Sequence, residues 1–288
     1  MSQLRPRAGW RRLNQLRPRT GWRRLNQLRP RTGWRRRWKQ AIRRAYGPDR
    51  RRVTDTKGGS SMCGRYSLTV SLEELLAYYA LEEDAAAALF SYGPRFNIAP
   101  GQPIPAVIHD GAKLRIGPLR WGLIPSWAKD EKIGWRTVNA RAETLRSKPA
   151  FRLPFERKRC LIPADGFYEW RTEPDGTKQP IRIVRRDGSL FQFAGLYDTW
   201  VDGEGRRVST CTIITTEPNE LMAPIHDRMP VIVPPEQITI WLDRGTTDTL
   251  RLEPLLRPCP AGELHAYPVH KRVGNAKTDD PACIEPLF

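Results

Sequence analysis

The chain has 288 residues with 49 Lys or Arg against 31 Asp or Glu, a net charge of +18, and is long enough to bury a substantial core. No run approaches the roughly 20 apolar residues of a membrane span, and no apolar segment of secretory type lies near the N-terminus. The five cysteines (Cys63, Cys160, Cys211, Cys259, Cys283) are widely spaced with no C-x-x-C, which argues against a disulfide framework or a zinc site and for free thiols in an intracellular protein, cytoplasmic or nucleoid-associated if bacterial.

The charge is not evenly spread. Residues 1–61 hold 20 of the Lys and Arg and only Asp49 and Asp55, a balance of +18, while residues 62–288 hold 29 basic and 29 acidic residues. Within the basic arm, 3–14 read QLRPRAGWRRLN, 15–26 read QLRPRTGWRRLN and 27–37 read QLRPRTGWRRR. Each unit combines a Pro and a Gly with four or more Arg and too little apolar surface to offset chain entropy, so a disordered arm is expected. Arg interleaved with Trp10, Trp22, Trp34 and Trp38 suits nonspecific single-strand binding; an Arg-rich, acid-poor N-terminus also suits an organelle transit peptide. The near-identity of the repeats favours a third reading, upstream sequence outside the working protein or a removed leader, with residues 53–61 (VTDTKGGSS) as a polar linker.

Met62-Cys63-Gly64-Arg65-Tyr66 then reads like the start of a protein. Ser71-Leu72-Glu73-Glu74 has the form of a capping box and predicts a helix over 71–80. Strands are expected over 104–109, 113–121, 159–163, 166–171, 180–186, 190–196 and 208–216, with Asp187-Gly188 as a hairpin turn and Asp202–Gly205 as another turn. Helical patches are expected near 143–157, 235–243 and 246–256. Many short strands with a few peripheral helices predict one α+β domain over 62–288, built on a curled, largely antiparallel β-sheet.

No phosphate loop, dinucleotide fingerprint, zincin motif or hydrolase elbow is present. Six short phrases stand out instead: Met62-Cys63-Gly64-Arg65, Phe96-Asn97-Ile98-Ala99-Pro100-Gly101, Trp121-Gly122-Leu123-Ile124-Pro125-Ser126-Trp127, Val138-Asn139-Ala140-Arg141-Ala142-Glu143-Thr144, Asp165-Gly166-Phe167-Tyr168-Glu169-Trp170 and Ile225-His226-Asp227-Arg228-Met229-Pro230. In this order and spacing the chain resembles the SRAP (SOS-response-associated peptidase) family over about 62–288. The resemblance implies a barrel-like fold and capture of abasic sites in single-stranded DNA. The 61 residues ahead of Met62 depart from the family pattern, in which the motif cysteine directly follows the initiator Met.

The residues themselves suit that chemistry. A cysteine at the N-terminus carries a thiol and a free α-amine, the latter with a pKa near 7.7–8.0, so that much of it is unprotonated at neutral pH. Such a 1,2-aminothiol can form a Schiff base with the aldehyde of a ring-opened abasic site and close to a thiazolidine; Cys63 acylated on nitrogen can give only a reversible hemithioacetal. Glu169, set among Phe167, Tyr168 and Trp170, suits proton shuttling if the aromatic setting desolvates it. Histidine is the residue type suited to moving protons at working pH, which makes His226 a candidate for imine formation or, equally, a structural hydrogen-bonder. Asn139 can orient the cysteine or the opened sugar by hydrogen bonding or serve as an Asx-type helix cap. By resemblance Cys63, Asn139, Glu169 and His226 occupy the family's active-site positions, and Arg65 and Arg141 its phosphate-contacting ones. Trp121, Trp127 and Trp170 are candidate stacking or wedge surfaces, although Trp121 suits core packing equally well.

The expected partner is single-stranded DNA containing abasic sites, bound by a monomer with no membrane and no obligate protein partner; neither metal nor organic cofactor is expected. A thiol peptidase with Cys63 as nucleophile and His226 as base, acting chiefly on the Met62–Cys63 bond, is one rival. A noncovalent single-strand binder that works through the arm is the other.

Overall fold

The computed structural model describes residues 64–81 and 92–288. The repeat arm and linker expected over 1–61, and Cys63 itself, lie outside the described residues. From Gly64 to Leu287 the described residues belong to one compact unit.

Ser71 opens the first helix, α1 (Leu72–Tyr78), as expected: its side chain accepts from the Glu74 amide while the Glu74 carboxylate accepts from the Ser71 amide. In chain order the remaining elements are β1 (Arg65–Leu68, ahead of α1), β2 (Arg95–Ile98), β3 (Pro103–His109), β4 (Leu114–Trp121), β5 (Asn139–Arg141), α2 (Pro149–Arg157), β6 (Arg159–Ala164), β7 (Gly166–Thr172), β8 (Lys178–Arg185), β9 (Phe191–Val201), β10 (Arg207–Thr216), β11 (Met229–Pro230), α3 (Ile238–Leu242) and β12 (Leu264–Pro268). The seven expected strands fall on β3, β4 and β6 to β10. The expected helix near 143–157 divides into a 3-10 turn (Ala142–Thr144) and α2. Near 235–243 a 3-10 turn runs into α3, and the patch near 246–256 is a 3-10 helix (Thr249–Leu256) interrupted by Pro254.

Two sheets result. One runs β12-β8-β7-β1-β2, all antiparallel. In the other, β10-β4-β3-β6-β9 form a chain whose last strand pairs back onto β10, closing a five-stranded barrel. Along one edge of β10 the partner is first β4 and then β5, both parallel to it; β11 pairs with its final residues.

Asp187-Gly188 corrects one expectation. The turn exists, with Gly188 at φ +76 and its amide on the Arg185 carbonyl, but β8 and β9 do not pair. The turn carries the chain from the open sheet into the barrel, so local turn chemistry was right and the pairing it implied was not. Asp202–Gly205, by contrast, joins β9 and β10 as a true hairpin.

An aromatic seam joins the sheets. Tyr66 of β1 lies edge-on to Trp121 and Phe193 of the barrel, at centroid distances of 5.5 and 6.1 Å, and Phe167 of β7 meets Phe193 at 5.9 Å. Each such pair adds about 0.5–1.5 kcal/mol beyond area burial. The seam also fixes the inner face of β7: Phe167 faces it, so period-2 alternation puts Glu169 in the same row.

Candidate functional site

β7 therefore carries a carboxylate at the end of an apolar row. Glu169 pairs in register with Ile181 of β8 and is 1% exposed. Its Oε2 lies 3.7 Å from Nε2 of His226, a residue from the short turn after β10 that sequence separates from it by most of two sheets. That turn is tied by amides of Ile225 and His226 to the Met222 carbonyl and by Asn219, whose carboxamide oxygen accepts from the Met222 amide.

The imidazole is held by its other nitrogen. Nδ1 accepts from the Arg228 amide at 3.0 Å, which places the proton of the neutral ring on Nε2, the nitrogen facing Glu169. The Asp227 carboxylate and the Arg228 carbonyl also lie near Nδ1, each at 3.2 Å. A proton on Nδ1 would point at the Arg228 amide N–H, so the amide contact holds the ring with its Nε2–H toward Glu169.

Arg228 does more than supply that amide. Its guanidinium makes a bidentate pair with Glu143 at 2.8 and 2.9 Å and donates to the Thr215 carbonyl at 2.7 Å. The pair holds the Glu143 carboxyl below the usual carboxylate range. It spans β10, tying the His226 turn on one flank to the segment that follows β5 on the other. Sequence reasoning gave Arg228 and Glu143 no role, because the pairing joins residues with no local pattern in common.

Asn139 lies on β5, not at a helix cap. It pairs with Ile213, is buried, donates weakly to the Ile213 carbonyl at 3.4 Å, and keeps a buried Oδ1 with no hydrogen-bond partner among the described residues. Arg141, two residues on, is exposed. The structure thus brings Glu169 and His226 together and sets Asn139 and Arg141 across β10 from the strand that follows His226.

The aromatic candidates divide. Trp121 is 1% exposed, donates its indole N–H to the Val138 carbonyl and packs on Tyr66, so it belongs to the core and has no face for a base. Trp127 is 58% exposed in a loop pinned by Ser126 to Asp198, by Ala128 to the Trp200 indole and by Ile124 to Thr210. Trp170 is half-buried against the smaller apolar cluster around Tyr168. An aromatic missed in the sequence, Trp135, is the most exposed tryptophan described, at 67%. Its ring lies over Gly101, where a built Cβ would come within 2.7 Å of Cη2, and Gly101 belongs to a phrase whose spacing alone did not reveal this contact.

Arg65 is half-buried. It donates to Asn97 Oδ1 at 3.0 Å, to the Val273 carbonyl at 2.6 Å and to the Gly274 carbonyl at 3.0 Å. Cys160, Cys211, Cys259 and Cys283 are free and buried, and burial pushes the Cys259 thiol up to about 12, so none of the four is suited to be a nucleophile. Among the described residues, no group of three or more His, Cys, Asp or Glu is placed to hold a metal ion, and no helix is long and apolar enough to cross a membrane.

Residues 62–276 match the model of the family described as SOS response associated peptidase (SRAP). The chain is 48% identical over 224 residues to the abasic site processing protein YoqW of Bacillus subtilis (strain 168), a match covering 78% of this chain and 99% of that one. It is 30% identical over 233 residues to the abasic site processing protein HMCES of Rattus norvegicus, covering 68% and 65%. A crystal structure of a protein from Bacteroides thetaiotaomicron superposes with a TM-score of 0.70 at 28% identity, over 78% of this chain and all of that one.

Proposed function

The chain belongs to the SOS response associated peptidase family, which supports processing of abasic DNA lesions, and from that premise we propose that it traps abasic sites in single-stranded DNA as a covalent adduct on Cys63. The observation that carries this reading is the buried Glu169 beside His226 on the strand that pairs with the start of β1. Arg65 stands opposite Tyr168, so the same register continued by one residue sets Gly64 opposite Glu169. Cys63 is the residue directly before Gly64 in the chain.

The chemistry balances with one water lost. The α-amine of Cys63 adds to the C1′ aldehyde of the ring-opened sugar, the carbinolamine expels water to give an imine, and the thiol adds to the imine carbon as its proton passes to nitrogen. In this reading Glu169 donates protons to the sugar oxygens and recovers them, with His226 as the neighbouring proton store. The Asn139 carboxamide oxygen is a buried acceptor available to the amine or a sugar hydroxyl. Arg141 supplies a phosphate contact, and Trp127, Trp135 and Trp170 supply stacking surfaces for the neighbouring bases. Release of Met62 and everything before it exposes the amine; an N-acylated Cys63 cannot close the ring.

The test is a denaturing gel of the chain beginning at Cys63 after incubation with an oligonucleotide carrying one abasic site. A heat-stable slower band is expected, absent for Cys63→Ser. A heat-stable adduct surviving in that variant would sink the proposal.

A further inference from the structure

The residues that hold the start of β1 form a device of their own. β2 carries a bulge: Tyr66 pairs with Ile98 and Leu68 with Arg95, so Phe96 and Asn97 together oppose Ser67. The bulge takes both of their amides out of the ladder, and a single oxygen, Asp279 Oδ1, accepts both at 2.6 and 3.0 Å. The Asn97 carboxamide, fully buried, donates to the carbonyls of Val273, Asn275 and Thr278 at 3.1, 3.0 and 2.7 Å. Its oxygen accepts from Arg65, which itself reaches Val273 and Gly274. The segment 273–279 starts at the buried Val273 in the apolar cluster around Tyr168 and ends at Asp279 on the β2 amides, and the buried Cys283 returns the chain to that cluster four residues later. In between, Gly274, Asn275, Ala276 and Lys277 are exposed and make no core of their own.

We propose that residues 273–279 are a strap that aligns the first residues of β1, and that Arg65 and Asn97 are positioning residues which aim the N-terminal cysteine at Glu169. The inference rests on the covalent trap described above. It also gives Arg65 a task different from the phosphate contact that resemblance implies: three of its N–H groups are engaged with the strap and with Asn97. A guanidinium fork is needed to serve three acceptors in fixed directions, which an ammonium on a flexible stem cannot do.

Arg65→Met is the informative variant: it leaves the Gly274 carbonyl to water but takes a donor from the buried Asn97 oxygen and from the Val273 carbonyl, so a denaturation midpoint read beside each rate separates misalignment from unfolding. In the chain beginning at Cys63, the single-turnover rate of adduct formation at saturating DNA should fall about 10–100-fold, as expected for misplacement of a reacting group by an ångström or so. The dissociation constant for an oligonucleotide with an inert, ring-closed abasic analogue should change by less than about threefold, and Arg65→Lys should not restore the rate. In the full chain, amide exchange at Tyr66 and Ser67 should accelerate at least about tenfold. An unchanged saturating rate with a weakened dissociation constant and a salt slope reduced by about one would mark Arg65 as a phosphate contact and overturn the strap. So would unchanged exchange, which needs no DNA. Absence of any adduct in the unsubstituted protein would instead overturn the trapping reaction, leaving exchange to judge the strap.

Discussion

The β7–β8 hairpin buries charge on both faces, and the two faces handle it differently. On the outer face Asp165, Ser67, Thr69, Arg182 and Tyr267 form a closed network with hydrogen bonds of 2.5–3.0 Å, and Gly166 is bare because a Cβ there would meet the Arg182 guanidinium at 2.7 Å. On the inner face Glu169 and His226 stand 3.7 Å apart, with the imidazole oriented by the Arg228 amide at Nδ1. The outer network ties Asp165 to the Arg182 guanidinium and to two hydroxyls, although Arg182 Nε is buried without a hydrogen-bond partner among the described residues. The inner pair differs in its place and composition: a carboxylate beside an oriented imidazole, on the strand that pairs with the start of β1. Burial of charge alone does not mark a functional site, since the outer face buries charge as well.

The largest expected effect breaks the outer face. Arg182→Met takes from the part-buried Asp165 its buried cation and should cost about 3 kcal/mol, read as a lowered denaturation midpoint at unchanged m-value. A loss under about 1 kcal/mol would mean the network is not structural. Glu169→Gln should do the reverse, lowering the adduct-forming rate by about 10²-fold or more, worth about 2.7 kcal/mol of barrier, while stability moves by about 1 kcal/mol or less. Equal rates for the two proteins would remove Glu169 from the chemistry.

Glu143→Gln is a smaller probe, of the tie across β10. The carboxyl is half-exposed and held below its ordinary range by Arg228, so solvent screening limits its contribution to about 1 kcal/mol. That stability is present above the unfolded-state value of about 4.3 and lost as pH falls through the depressed folded value. Urea melts of the two proteins should therefore differ at neutral pH and converge in acid. Convergence at both pH values would show that the pair only orders the His226 turn. Least of all, Ala80→Gly should stabilise the protein by about 0.5–1 kcal/mol, since Ala80 ends α1 at φ +51 where glycine carries no Cβ penalty.

Sequence patterns revealed whatever was local. The α1 capping box, the Pro- and Gly-punctuated apolar runs of β6 to β10 and the turn residues after β8 and β9 each act within a few positions, and all are found. Strands β1, β2, β5 and β12 were not anticipated. They are three to five residues long, and their pairing is set by distant partners, such as Arg65 with Tyr168 and Asn139 with Ile213. The same limit applies to the site. Glu169 and His226 could be named from their phrases, but their approach, the Arg228–Glu143 tie and the strap under Arg65 come from tertiary contacts with no local signal. Trp121 and Trp135 make the point from opposite sides: one tryptophan was offered to DNA and is buried, the other was passed over and is exposed.

The central proposal is that Cys63 reacts through its free α-amine and thiol together, with Glu169 and His226 moving the protons. Intact mass spectrometry tests it most directly, applied to the chain beginning at Cys63 and to the full 288-residue chain after incubation with the same abasic oligonucleotide. The shorter protein should gain the mass of the oligonucleotide less one water, mapped to Cys63, and the full chain should gain no stable mass. An adduct of equal yield on the full chain, or one mapped away from Cys63, would contradict the account.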